Sequence, residues 1–214
     1  LGDSEFPLPT TQPPTSLPDP FLLPSIGQIW SKRPDVQADG LISVVRSGVN
    51  RTSFASAAWT RSADSVASVD TRGNVYAFHI RKNRYQLLSR EGDEGTAVCC
   101  NEKEVFAGFI TGVIKMFDVD KQGEPLVATL KGHRSRVTHI ELSPSNDLML
   151  STSNDCALLW DLKSGTYTKK NLAGGAYGAV QARFAGAYGE KAVVAFHDES
   201  LWVWNARTGN LETK

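Results

Sequence analysis

The residues that could do covalent chemistry are His133, Ser151, Ser153 and Asp155, which fall within one short stretch. A serine could act there as nucleophile, with the histidine as its base and the aspartate orienting that base. The surroundings do not support such a triad. No nucleophile elbow of the G-x-S-x-G type is present, and no run of residues reads as an oxyanion motif. A metal site is equally poorly supported. No two of His79, His133, His139, His197, Cys99, Cys100 and Cys156 have zinc-ligand spacing. Cys99 and Cys100 are adjacent, so on a strand they point to opposite faces. The assignment is therefore no catalytic residue, no cofactor and no metal.

A β framework must position these residues. Residues 1–24 hold seven of the ten prolines and read as a flexible, polyproline-like leader. Its prolines are loosely spaced and have no flanking Arg or Lys, unlike an SH3 ligand. Residues 25–40 form a lead-in. From residue 41 to 214, short runs of β-branched and aromatic residues alternate with Gly, Asn and Asp, and no helical period is sustained. Four strands close on an aromatic at Phe78, Phe117, Trp160 and Trp204, at intervals of 39, 43 and 44 residues. A period of about 40–45 residues with four strands per unit is that of propeller blades. The spacing predicts strands at 54–59, 65–70, 74–80 and 84–89 in the first unit. Further units span about 95–131 and 137–172, and a fourth runs from Val180 to where its outer strand begins at Leu211. Leu41–Arg46 reads as the outer strand of another blade. Gly174, Gly175 and Gly186–Gly189 lack a GK[ST] ending and read as an inter-blade loop rather than a phosphate cradle.

The third unit carries the most specific signal. Gly132 and His133 precede VTHIELSPS, then STSND ending at Asp155, then Trp160 and Asp161. This resembles the WD-repeat (WD40) family. The resemblance implies an all-β fold, a WD-repeat β-propeller with about four antiparallel four-stranded blades of a partial ring. It also implies a structural tetrad of His133, Ser153, Asp155 and Trp160. Ser151 is the alternative to Ser153, because the two share a face. The other units depart from the pattern. Phe78 and Phe117 stand where Trp is expected, Thr111 replaces the Asp, and neither Asp70 nor Asp198 has a Gly-His ahead of it. On this reading one blade holds the full network and the rest rely on strand pairing and apolar packing.

The segment from Gly27 to Pro34 (GQIWSKRP), with DGLI from Asp39, is similar to the lead-in of WD-repeat proteins that carry a C-terminal TBC domain. GNVYAF from Gly73, NRY from Asn83, IKMFD from Ile114 and LLWDL from Leu158 extend the likeness. The resemblance implies a longer parent chain containing a Rab-GAP fold. It also implies a place at the centrosome, in centriolar satellites or at the base of the cilium. No GAP residue can be assigned here. The expected function is a non-enzymatic scaffold for centrosomal or ciliary proteins. The rim contacts expected are Arg72, Arg134, Arg136, Asn154 and Glu199. The second reading is a constitutive architectural subunit held through blade edges. Exposed blade faces would pair in a homodimer or meet the rest of a longer chain.

Composition narrows the partners. Of the 214 residues, 41% are hydrophobic and 21% charged, and the formal net charge is zero, which argues against nucleic acid or an anionic membrane surface. No apolar run approaches the roughly 20 residues a spanning helix needs, so no membrane insertion is expected. Three cysteines make no disulfide framework, and there is no signal peptide, so the expected location is cytoplasmic.

Overall fold

The computed structural model describes residues 26–30, 41–46, 53–82, 84–90, 92–121, 123–172 and 178–214. They fall into two units, Leu1–Arg51 and Thr52–Lys214. In the first, β1 (Ile26–Trp30) pairs antiparallel with β2 (Leu41–Arg46), with a register shift between Ile29 and Trp30. The strand read as the edge of a further blade thus has a partner from the lead-in, one that the apolar pattern did not announce. The proline-rich leader and Gly174–Gly175 lie outside the described residues.

The second unit is four consecutive antiparallel sheets. The first blade is β3 (Phe54–Trp59), β4 (Ser65–Asp70), β5 (Asn74–His79) and β6 (Arg84–Arg90). The second is β7 (Gly95–Cys100), β8 (Glu104–Phe109), β9 (Val113–Asp118) and β10 (Leu126–Lys131). The third is β11 (Val137–Leu142), β12 (Leu148–Ser153), β13 (Ala157–Asp161) and β14 (Lys169–Asn171). The fourth is β15 (Ala179–Ala185), β16 (Lys191–Phe196), β17 (Leu201–Asn205) and β18 (Leu211–Thr213). Within each blade the strands lie in chain order, and successive inner strands β3, β7, β11 and β15 are neighbours. These are the blades of a β-propeller, at the boundaries the repeat predicts.

Each inner strand carries a one-residue bulge near its start: between Phe54 and Ser56, Gly95 and Ala97, Val137 and His139, and Ala179 and Gln181. A bulge bends its strand and increases the local twist. Strand alternation then divides each blade's side chains between two interfaces. The residue third along the second strand, with its partner on the third strand, faces the next blade. These pairs are Ala67–Ala77, Phe106–Met116, Leu150–Leu159 and Val193–Val203. Phe106 and Met116 pack with Val137, Ile140, Met149, Leu158 and Trp160 of the third blade. Leu150 and Leu159 pack with Ala182, Val194, Phe196 and Trp204 of the fourth. Burying each such large side chain contributes about 1.5–3 kcal/mol.

The turns after the second strands of blades one, two and four hold one residue in the left-handed region: Gly73 (φ 76°), Gly112 (φ 81°) and Glu199 (φ 64°). The third blade's turn is tighter, and the Ser153 N–H donates to the Cys156 carbonyl at 3.0 Å. Gly186–Gly189 is not an inter-blade loop as the sequence pattern had it. It forms the turn between β15 and β16, where Gly186 and Gly189 take φ of 89° and 69°.

A candidate interaction rim and the polar chain beneath it

Strand order places Arg72, Asn154 and Glu199 in the turns after the second strands of three blades, and Arg134 and Arg136 in the connection from β10 to β11. All five are exposed at one end of the strands. The Arg136 guanidinium lies 3.3 Å from Glu94, so its charge is shared with the preceding connection. The rim is rigid because its loops meet through backbone. Gly112 lies so close to the His133 loop that a Cβ there would stand 2.6 Å from the His133 carbonyl oxygen. Gly178 is packed equally tightly against the Asn154 backbone.

A continuous hydrogen-bond chain underlies the rim of the third blade. The Trp160 indole N–H donates to Ser151 Oγ at 2.8 Å. Ser151 Oγ is 2.7 Å from His133 Nε2, and His133 Nδ1 is 2.9 Å from Ser153 Oγ. The Ser153 hydroxyl donates to Asp155. Since that proton is spent on the carboxylate, the Ser153 oxygen accepts from Nδ1–H. Nε2 then carries the lone pair and accepts from Ser151. Every proton in the chain therefore points from the core toward Asp155. Both serines are used, one at each ring nitrogen, and Ser151 rather than Ser153 meets the indole. Both are also fully buried, which bars a substrate carbonyl from either oxygen.

Burial pushes the His133 ring down to about 4, against the smaller upward pull of Asp155. The ring is neutral at pH 7, so its 3.7 Å approach to Asp155 is not an ion pair. Burial alone would raise Asp155. The Arg134 N–H and the Ser135 hydroxyl, which donate to its carboxylate at 3.2 and 3.0 Å, outweigh that and hold it below the usual carboxylate range. Cys156 joins this group, donating its S–H to Asp155 at 3.5 Å with its sulfur 3.4 Å from Nδ1. His133, Asp155 and Cys156 form a set of ligand-type atoms that sequence spacing did not reveal. Burial pushes the thiol up to about 12, so it stays protonated and ill suited to bind a cation near neutral pH.

The first blade departs from the expectation that it relies on pairing and apolar packing. Asp70 is fully buried and organises a network of its own. Its carboxylate accepts from the Arg72 and Asn74 N–H groups at 2.9 and 2.8 Å, from the Asn74 amide at 2.7 Å and from the Tyr76 hydroxyl at 3.1 Å. Local donors replace the missing histidine, and they also fix the turn that presents Arg72.

Along the inner strands, His139, Glu141 and Arg183 border a cavity of about 330 Å³. Burial pushes His139 down to about 4 and raises Glu141, whose carboxylate accepts from the Phe184 N–H at 3.1 Å and lies 3.7 Å from Arg183. His133 and His139 thus titrate near 6.5 when unfolded and near 4 when folded. Between those values the unfolded chain holds more protons, so stability, complete above pH 6.5, falls as pH drops toward 4. Glu141, protonated more readily when folded, offsets part of that loss. Urea midpoints at pH 7.5, 6 and 5 should fall in that order, and the trend should be shallower in His139→Gln. A flat profile would contradict the buried, neutral rings.

No model of a known protein family matches the chain. Curated relatives do. The chain is 28% identical over 191 residues to TBC1 domain family member 31 of Xenopus tropicalis, covering 85% of this chain and 17% of that protein. It is 30% identical over 195 residues to the Mus musculus protein of that name and 29% over 195 residues to the Homo sapiens one, covering 85% of this chain and 19% and 18% of theirs. The chain thus spans less than a fifth of these relatives. Among solved structures it superposes on a chain of the mitotic checkpoint complex with a TM-score of 0.68 at 17% identity, covering 80% of this chain and 53% of that one. It also superposes on the computationally designed Ika4 protein with a TM-score of 0.61 at 18% identity, covering 73% and 93%. The fold is an all-β WD-repeat propeller.

Proposed function

We propose that the chain is a non-catalytic protein-interaction scaffold, the N-terminal part of a longer WD-repeat, TBC-type protein of the cytoplasm. Its expected sites are centriolar satellites, the centrosome and the base of the cilium. The observation that carries this is the rim, where exposed polar side chains from the turns of three blades and from the β10–β11 connection sit on loops locked by backbone contacts. The likeness to relatives named TBC1 domain family member 31 supports the assignment. Any GTPase-activating step belongs to another part of such a protein, and its partners are other proteins, without nucleic acid, membrane insertion or cofactor.

The test is localisation of the chain fused to a fluorescent protein in ciliated cells. Puncta around the centrioles are expected, and Arg72→Glu with Arg134→Glu should disperse them. A diffuse wild-type signal would overturn the placement. Puncta unchanged by the double variant would remove the rim from the mechanism.

A second reading, an architectural subunit held through blade edges or a homodimer paired through exposed blade faces, draws on the last blade. Val193 and Val203 face outward there, and Leu201 is 55% exposed. Light scattering distinguishes the two readings. A mass near 23.3 kDa favours the rim. Twice that mass, reduced to the monomer by Leu201→Lys, favours the blade face.

A further inference from the structure

The outer strand of each blade is the edge of its sheet, and an edge exposes backbone N–H and C=O groups ready to pair with another chain. Three of the four edges are blunted. β14 (Lys169–Asn171) and β18 (Leu211–Thr213) are three residues long and carry Lys169, Lys170 and Glu212. β6 is longer but has Arg84 and Arg90 at its two ends. β10 has neither device. It runs for six residues, and Leu126–Leu130 (LVATL) holds no charge, no Pro and no Gly. Leu126 is 45% exposed and Val127 37%. Its register shift lies at the start, between Leu126 and Ala128, and Ala128–Lys131 pair in unbroken register with β9. Among the described residues no strand lies on its outer side.

The ladder shows which groups point outward. The Val119 N–H donates to the Lys103 carbonyl on the β8 side at 2.9 Å, and the Asp118 N–H donates to the Pro125 carbonyl on the β10 side at 2.8 Å. The backbone groups of a central strand alternate between its two neighbours. Those of Met116 and Ile114 therefore face β10, where their partners are Ala128 and Leu130. Thr129 and Lys131 turn their N–H and C=O groups away from the sheet. The Lys169 ammonium takes the Lys131 carbonyl at 2.5 Å, as that direction requires. The Thr129 N–H and carbonyl have no partner among the described residues. Thr129 and Lys131 also border a cavity of about 220 Å³ that Phe109 and Val113 line. Leu126, opposite Phe117, shares their face of the strand, because Phe117 and Lys115 are two apart on β9.

We infer that the outer edge of β10 is a docking site for an extended segment of a partner protein, which adds to the second blade as a fifth strand. The edge itself selects this occupant, since outward N–H and C=O groups along a strand are matched rung by rung by another extended backbone. Directly opposite residues of paired strands share a face. The residue opposite Thr129 thus lays its side chain at the mouth of the cavity, and one two positions away lies beside Leu126. Both positions favour aliphatic or β-branched residues. The inference rests on the scaffold reading and adds a contact surface on the outer side of a blade.

The test pans a phage-displayed random dodecapeptide library on the 214-residue chain, with counter-selection on Thr129→Pro. That substitution removes an outward N–H and no bond of the ladder, as proline on an edge strand allows. Selected peptides should alternate aliphatic or β-branched residues with others and hold no internal Pro. A synthetic copy should lose about tenfold in affinity on Thr129→Pro and keep it on Thr129→Val, which retains the N–H. N-methylation along the peptide should abolish binding at every second residue, because alternate amides face the edge. This scan uses the wild-type chain, so it decides the matter even where Thr129→Pro lowers the urea midpoint. No enrichment, or N-methyl sensitivity without a period of two, overturns the edge. So does equal binding to a Thr129→Pro chain that folds as wild type. A chain that is dimeric as wild type and monomeric as Thr129→Pro overturns the partner segment in favour of a second copy. Peptides lost on Arg72→Glu/Arg134→Glu but kept on Thr129→Pro overturn the edge while supporting the scaffold reading. Diffuse localisation of the whole chain in cells, by contrast, counts against the scaffold reading and not against the edge.

Discussion

Ser151→Ala should destabilise the protein by about 2–4 kcal/mol, well beyond the roughly 1 kcal/mol of an ordinary hydroxyl deletion. Ser151 is the only link between the buried Trp160 indole and His133 Nε2 in the chain of bonds, at 2.8 and 2.7 Å. Its loss leaves a buried donor and a buried acceptor unpaired at once. Ser153→Ala should cost less, near 1 kcal/mol, because Nδ1 already lies 3.7 Å from Asp155 and a small shift restores its partner. Trp160→Phe removes the same indole bond as Ser151→Ala. The double variant should therefore lose less than the sum of the singles, with a coupling of about 0.5–3 kcal/mol. Each kcal/mol corresponds to about 2–4 °C of melting temperature for a chain of this size. Equal costs for the two serines, or strict additivity with Trp160→Phe, would show that the chain is not connected as described.

The second large effect is at a glycine. Gly112→Ala should cost about 3 kcal/mol or more, whereas Gly123→Ala should cost about 1 kcal/mol. Both residues are in the left-handed region, at φ of 81° and 91°, so backbone strain is common to both. They differ in what a methyl group would meet. At Gly123 there is open space. At Gly112 it would stand 2.6 Å from the His133 carbonyl oxygen and 2.9 Å from that of Ser135. Those atoms are backbone and cannot rotate away, so the His133 connection must move. The comparison isolates the contact between the second and third blades from strain within the turn. Urea unfolding of both variants measures it, and equal midpoints would mean that the rim loops are not locked together.

Much of this architecture is legible in the sequence because a propeller repeats. Four aromatics at near-constant spacing locate the third strands, and turn residues set the rest, so most strand boundaries agree to within a residue. β1 is not legible, since five residues of lead-in show no alternation that distinguishes them from coil. The choice between Ser151 and Ser153 was beyond pattern. Both point to the same face, and only the reach of the indole decides which one it meets. The Asp70 network escaped because the family pattern supplies the carboxylate with a histidine, whereas here local amides and the Tyr76 hydroxyl do that work. The open space between the ends of the first two blades escaped for another reason. Ala67 and Ala77 are unremarkable strand residues until register shows them to be partners at the position where neighbouring blades place Phe106–Met116 and Leu150–Leu159. Cys156 shows no ligand spacing in the sequence because 22 residues lie between it and the imidazole it touches.

The filling of the seams has a consequence for how the molecule comes apart. The second and third blades are joined by Phe106, Met116 and Trp160 and by the locked turn at Gly112. The first and second are joined by Val69, Val75, Leu88, Phe109 and Phe117, and Gly95 stands as tightly against Val69 and the Asp70 carbonyl. The third and fourth share Leu150, Leu159, Val194, Phe196 and Trp204. In a stack of units each touching only its neighbours, opening begins where the shared boundary is thinnest. With an apolar cluster at every boundary, no single blade peels away first, and heat or mechanical load melts the four as one cooperative body.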